Sequence, residues 1–259
     1  MDFDTLDQRM RDFERSLDRC MPNCTYIVAR LDGHGFTRLT KKEWNLAKPF
    51  DVRFKDCMTA TLSHLMDCGF KIIYGYSQSD EISLLFHLND VTFGRKERKL
   101  LSILAAEASV AFSKNAERHA IFDCRLVALP SEQYVIDYFR WRQEDAGRNS
   151  LNSYCYWQLR ADGFSPSDAQ QQISGVSNAQ KIELLRNHGI NYDKLPSWQT
   201  RGIGIYYTDV QKECFNPVTG QATKCLRHVL YLEEELPTGA AYSTLLSQIL
   251  SKNAPEVKQ

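Results

Sequence analysis

Residues 71–88, KIIYGYSQSDEISLLFHL, decide how this chain folds. Two apolar runs flank a small polar turn that ends on adjacent carboxylates, Asp80 and Glu81. Such a pattern predicts a β-hairpin. Side chains alternate faces along a strand, so Asp80 and Glu81 point opposite ways and only one of them joins a given site. Upstream, residues 25–36, TYIVARLDGHGF, form an apolar strand ending on Asp32, with Gly33 and Gly35 behind it. Whether Asp32 and Asp80 meet is the functional question.

Working outward, Asp51 caps a helix running to about Cys68, with Phe54, Met58, Leu62, Leu65 and Met66 on one face and Gly69 just beyond. After the hairpin, residues 95–118 read as a long helix and residues 121–129 as a strand closed by Pro130. The order is therefore strand, helix, strand, strand, helix, strand. That is the α+β, ferredoxin-like βαββαβ arrangement, in which the first and third strands are antiparallel neighbours at the centre of the sheet. Asp32 ends the first and Asp80 begins the third, so element order alone carries both carboxylates to one sheet edge.

Around this core, residues 3–18 place Phe3, Leu6, Met10, Phe13 and Leu17 at helical spacing, an amphipathic helix expected to lie over the core as a lid. Residues 131–145 and 149–160 read as two further helices, and the Ser, Pro and Gln content of 163–175 as a flexible connection. Ser177 caps a helix stopping at Gly189. Two β-rich runs between 202 and 232 flank NPVTG as a hairpin arm, and 238–251 is a last helix. The expected division is a palm core with its N-terminal helix over 1–130, and a helical and β-arm region over 131–259 that packs on it.

The chain has 259 residues, 43% hydrophobic and 25% charged, enough for a sizeable core in one large domain or two small ones. Lys plus Arg and Asp plus Glu number 32 each, so no global field draws it to a polyanion, and any such partner must be met by local basic clusters. The N-terminus is charged without a signal-peptide core, and no run is long enough to span a bilayer, so the cytoplasm is the expected compartment. The spacing of the cysteines and of His228 fits no common zinc pattern.

Two carboxylates beside a glycine turn make an all-oxygen site of the kind Mg²⁺ prefers. Two such ions can clamp the attacking and leaving oxygens of a phosphoryl transfer. Backbone amides over Gly33–Phe36 could cradle a triphosphate, since a glycine turn aims successive N–H groups at one anion. His34 reads as a turn residue. Basic residues group as Arg38, Lys41, Lys42 and Lys48; as Arg95, Lys96, Arg98 and Lys99, equally readable as a solvated helix face; and as Arg140, Arg142 and Arg148.

Together RLDGHGF, AKPFD, GYSQSDEISLLF, FDCRLVALP and SGVSNAQKIELL resemble the tRNA(His) guanylyltransferase family and its tRNA-guanylyltransferase-like branch, over residues 26–185. The resemblance implies a polymerase-type palm that adds nucleotides in the 3′ to 5′ direction to the 5′ end of tRNA. It implies two Mg²⁺ ions on Asp32, Asp80 and the Gly33 carbonyl, with nucleotide phosphates on the turn from Gly33 through His34 and Gly35 to Phe36. Lys48, Ser79 and Glu81 then serve ATP-dependent activation of the 5′ end, with Asp51 in the nucleotide site and GTP or another nucleoside triphosphate as the second substrate. Lys181 is a further phosphate or RNA contact. The family resemblance also implies a homotetramer, a dimer of dimers.

One segment departs from the pattern. Where the histidine-specific enzymes resemble HINNLYN before a Trp, this chain reads GRNSLNSYCYW, leaving Arg148 and Asn152 as the RNA-contact candidates there. That segment is tied in the family to the tRNA(His) anticodon, so the departure favours templated repair of truncated tRNA. The alternatives are addition of a single guanosine to tRNA(His), a nucleotidyl cyclase, and a non-catalytic RNA-binding palm.

Overall fold

The computed structural model describes residues 2–215 and 222–254. Helix α1 spans Phe3–Arg15, strand β1 Tyr26–His34, the short α2 Phe36–Arg38, α3 Val52–Leu65, β2 Ile72–Gln78 and β3 Glu81–Phe86. They are followed by α4 at Glu97–Ala116, β4 at Ile121–Leu129, α5 at Glu132–Ala161, α6 at Pro166–Ile173 and α7 at Asn178–Asn187. The short α8 (Ser197–Thr200), β5 (Ile203–Phe215), β6 (Ala222–Glu233) and α9 (Gly239–Lys252) complete the chain. One six-stranded sheet has the order β4-β1-β3-β2-β5-β6. Its first four strands are the βαββαβ core, with β1 antiparallel to both β3 and β4.

Strand alternation splits the apolar residues into two cores. Ile27, Ala29 and Leu31 of β1, with Ile82 and Leu84 of β3, pack against Leu62 and Leu65 of α3 and Leu104 and Phe112 of α4. Tyr26 and Val28, with Leu85 and Tyr74, face Val135 and Phe139 of α5 and Tyr242 and Leu246 of α9. Both faces are covered, which is why the hairpin strands read as continuous apolar runs. Asp51 caps α3, and Ser177 with Gln180 forms a complete capping box on α7.

Several expectations are corrected. Residues 132–161 form one helix of 30 residues and not two, with Gly147 held in a packed face, its carbonyl accepting from the Tyr192 hydroxyl at 2.9 Å. The stretch read as a flexible connection contains α6, whose Ala169 and Ile173 are buried with Leu151, Cys155, Leu159 and Leu185 in a third core. The β5–β6 arm extends the main sheet through the pairing of β5 with β2, so the region after residue 130 adds two strands to the core sheet. NPVTG itself lies outside the described residues.

Helix α1 is not a lid. It has no buried residue, and Phe3 and Phe13 are 77% and 65% exposed. Deleting residues 2–15 is therefore expected to move Tm by less than about 2 °C, the scale of a surface change, as read by thermal unfolding. The basic cluster at the start of α4 is also structural. Arg95 is buried and donates to the carbonyls of Thr25, Leu88 and Asp90, while Lys96 and Arg98 both hold Asp18.

Candidate active site

The β1–β3 ladder sets Asp32 directly opposite Glu81. One residue on, the Gly33 amide donates to the Asp80 carbonyl at 3.1 Å and ties the end of β1 to the turn before β3. The two aspartates thus reach one edge, as the element order requires. Asp80 accepts from the Ser79 hydroxyl at 3.0 Å. Among the described residues neither Asp32 nor Asp80 makes an ion pair. Burial, reinforced by Glu81 and Asp123, pushes the Asp32 pKa up. Burial pushes Asp80 up as well, with the Asp32 and Glu81 charges adding to it. A partly desolvated cluster of carboxylates, in which Asp32 raises the Asp80 pKa, favours a bound cation.

Glu81 is different, and sequence did not show why. It accepts from Arg30 of β1 and, at 2.8 Å, from Arg142 of α5, whose other nitrogen donates to Asp145 at 2.8 Å. Arg142 is only 5% exposed, so it is no phosphate-binding surface residue. The two guanidinium groups neutralise Glu81 and leave the uncompensated charge of this edge on Asp32 and Asp80. Among the described residues no three His, Cys, Asp or Glu side chains converge as a metal site. This donor set still fits Mg²⁺, which is commonly held by one or two carboxylates with substrate phosphates completing its shell.

The glycines of the turn serve separate needs. A Cβ on Gly33 would lie 2.5 Å from the Phe36 ring, and Phe36 is buried among Phe54, Phe112 and Phe122. Gly35 adopts φ 71° where the chain turns into α2. His34 and Gly35 are exposed, and Phe36 can meet a ligand only from its backbone side. The first amides of α2 have no partner within the helix, as at any helix start.

Beside this edge opens a cavity of about 290 Å³ bordered by Phe36, Lys41, Lys48, Asp51, Ser79, Asp80 and Glu81, joined by Asn149, Ser153 and Trp157 of α5 and Trp198 of α8. Lys48 donates to the Thr40 carbonyl at 2.9 Å, and burial together with the nearby Lys41 charge lowers its pKa. The Asp51 carboxylate accepts from the amides of Ala47 and Arg53 at 2.7 and 2.8 Å and from the Arg53 guanidinium, which holds its pKa far below the ordinary 3.8. A depressed carboxylate stabilises the fold above its unfolded pKa, and that stability disappears as pH falls through the folded value. Asp51→Ala should cost about 1–2 kcal/mol at neutral pH, and the gap from wild type should narrow as pH drops below about 4, in urea unfolding at stepped pH.

The other candidates lie elsewhere. Arg148 is exposed and paired with Asp145 at a separate groove, Asn152 is half-buried, and Lys181 is buried on α7. The α5 residues that do border the cavity, Asn149, Ser153 and Trp157, recur every fourth position. Reading α5 as continuous would have revealed that stripe.

A 4-1-3-2 palm core carrying an acidic pair at one strand edge beside a lysine-lined cavity defines a palm-type nucleotidyltransferase. A family described as tRNAHis guanylyltransferase matches residues 7–130, and its companion, the Thg1 C terminal domain, matches 133–234. The chain belongs to the tRNA(His) guanylyltransferase family. It is 34% identical over 203 residues to the tRNA(His) guanylyltransferase of Schizosaccharomyces pombe, covering 74% of this chain and 77% of that one. The probable tRNA(His) guanylyltransferase of Mus musculus is 33% identical over 214 residues, covering 78% and 71%. A bacterial Thg1-like protein in complex with ATP superposes with a TM-score of 0.73 at 25% identity, covering 95% of this chain and 99% of that one. The Saccharomyces cerevisiae tRNA(His) guanylyltransferase gives 0.68 at 27%, covering 75% and 91%.

Proposed function

We propose that this protein is a template-dependent 3′ to 5′ nucleotidyltransferase that extends the 5′ end of truncated tRNA, using ATP for activation and Mg²⁺ for catalysis. The observation that carries this reading is the convergence of the unpaired Asp32 and Asp80 beside the cavity lined by Lys48 and Ser79. In the first step a 5′-phosphate oxygen of the RNA attacks the α-phosphorus of ATP and pyrophosphate leaves. In the second, the 3′-hydroxyl of the incoming nucleotide attacks the activated 5′-phosphorus and AMP leaves. Mg²⁺ bound at the edge supplies charge stabilisation for the nonbridging oxygens.

The chain's own groups do the remaining work. Asp32 and Asp80 with the Gly33 carbonyl would hold the metal, and the turn amides would orient the triphosphate. Lys48 borders the cavity with its ammonium partly desolvated, placed to meet a phosphate bound there. Glu81, neutralised by Arg30 and Arg142, holds the strand edge in register and is not a free base.

Repair of truncated tRNA is favoured by the GRNSLNSYCYW departure and by the nearly full-length superposition on bacterial Thg1-like proteins, one in complex with ATP and one with GTP. Addition of a single guanosine to tRNA(His) is the second reading, favoured by the names of the curated relatives. Cytoplasmic location and a homotetramer belong to the same proposal. No described helix is long and apolar enough to cross a membrane. The test is incubation with 5′-truncated tRNA, ATP, Mg²⁺ and each nucleotide in turn. Extension by the nucleotide complementary to the opposite strand, whatever the anticodon, supports repair. Addition only of guanosine and only with the histidine anticodon supports the second reading, and no addition to either RNA defeats both.

A further inference from the structure

The cavity lining combines two unlike sets of residues. One is polar, with Lys41, Lys48, Ser79 and Asp80, and the other is aromatic, with Phe50, Trp157 and Trp198. All three rings are half-buried, so part of each faces the opening. They come from three separate stretches: the loop before α3, helix α5 and helix α8. Phe50 meets Trp198 in a T-shaped contact at 6.0 Å and tilts against Tyr154 at 5.6 Å, which holds Phe50 and Trp198 together.

Cations rest on both indoles. The Lys48 ammonium lies 5.5 Å from the Trp157 ring and the Lys55 ammonium 5.7 Å from the Trp198 ring. Lys55 is anchored by Glu234 at 2.6 Å and Asp56 at 3.1 Å. Among the described residues Lys48 makes no salt bridge, and Asp51 acts on it only at longer range, so a phosphate arriving in the cavity can draw it off Trp157 and bare that ring face. Asn149 and Ser153, about two turns and one turn before Trp157 on α5, supply polar groups along the rim for a heterocycle edge.

We propose that the wall of Phe50, Trp157 and Trp198 is a stacking subsite for the base of a purine nucleoside triphosphate, the nucleotide consumed in activating the RNA 5′ end. This rests on the reading of the cavity as the activation site. Its apolar faces accept any base, and the larger ring system of a purine covers more of them. Lys48 then acts twice, shielding Trp157 in the empty site and binding phosphate in the filled one.

Tryptophan fluorescence of the full chain titrated with ATP and Mg²⁺ tests the subsite, since a stacked purine quenches indole emission. A saturable quench is expected, reduced by at least about half in the Trp157→Phe/Trp198→Phe double variant, which keeps ring faces but removes the reporters. In Trp157→Ala the KM for ATP should rise about tenfold, and Trp157→Phe should restore it. The rate on 5′-monophosphate RNA relative to 5′-triphosphate RNA should fall about tenfold in Trp157→Ala, because a 5′ end that already bears pyrophosphate needs no activation. An undiminished quench in the double variant, or an ATP KM within about twofold of wild type in Trp157→Ala, overturns the subsite. Failure of the wild type to extend either RNA defeats the proposed function instead, and the titration then decides the wall by itself.

Discussion

Asp80→Asn is expected to lower nucleotide addition at least about a thousandfold while leaving the fold intact. The carboxylate is half-buried, makes no ion pair among the described residues, and is held by the neighbouring Ser79 hydroxyl and a backbone amide. The amide keeps the shape and removes the charge that Mg²⁺ needs. Stability should change in the opposite sense from activity. With the folded-state pKa of Asp80 raised, its favourable contribution exists below the ordinary carboxylate pKa and is lost as pH rises, so at neutral pH its charge works against folding. The metal-free variant should therefore melt above the metal-free wild type at pH 7. Added Mg²⁺ should raise the wild-type Tm and have a smaller effect on the variant. A variant that adds nucleotides at the wild-type rate would refute the assignment of Asp80, and equal Mg²⁺ shifts in both proteins would place the metal elsewhere.

Arg142→Met should be the most damaging structural substitution at the site. Arg142 joins Glu81 at the head of β3 to Asp145 on α5 from a position 5% exposed, and its guanidinium stacks 3.8 Å from the Trp141 ring centre. Removing it leaves two partly buried carboxylates short of a partner, a loss of about 3 kcal/mol. For a chain of this length that lowers Tm by roughly 6–12 °C in a thermal scan. Activity should also fall, because one of the two cations that offset the repulsion of Glu81 toward Asp32 across the ladder would be gone. A double-mutant cycle with Glu81→Gln separates the two effects: coupling between the sites is expected, and additivity would show that Arg142 acts through packing alone.

Much of the site was legible because its geometry follows from local pattern. The hairpin and the Asp32 strand show their own periodicity, and a βαββαβ order admits few sheet arrangements. Asp51 and Ser177 were readable as caps because capping is a contact within one turn. Arg95 and Arg142 were misread for the opposite reason. A basic residue looks the same whether it meets solvent or buried carbonyls, and only its distant partners tell them apart. The α1 stripe failed similarly, since an amphipathic pattern states that a face is apolar and not that anything covers it. Residues 131–145 and 149–160 read as two helices because the packing that carries one helix through Gly147 is not local.

The sequence by itself determined the palm, the neighbouring of β1 and β3, and so the meeting of Asp32 and Asp80, because strand period and element order act over short range and leave one economical topology. Tertiary structure alone decided that Glu81 is neutralised by Arg30 and Arg142, and that Trp157 and Trp198 turn toward Lys48 and Lys55 across one cavity. Those contacts join residues far apart in the chain, and no local pattern specifies which side chains will face each other once three layers have packed.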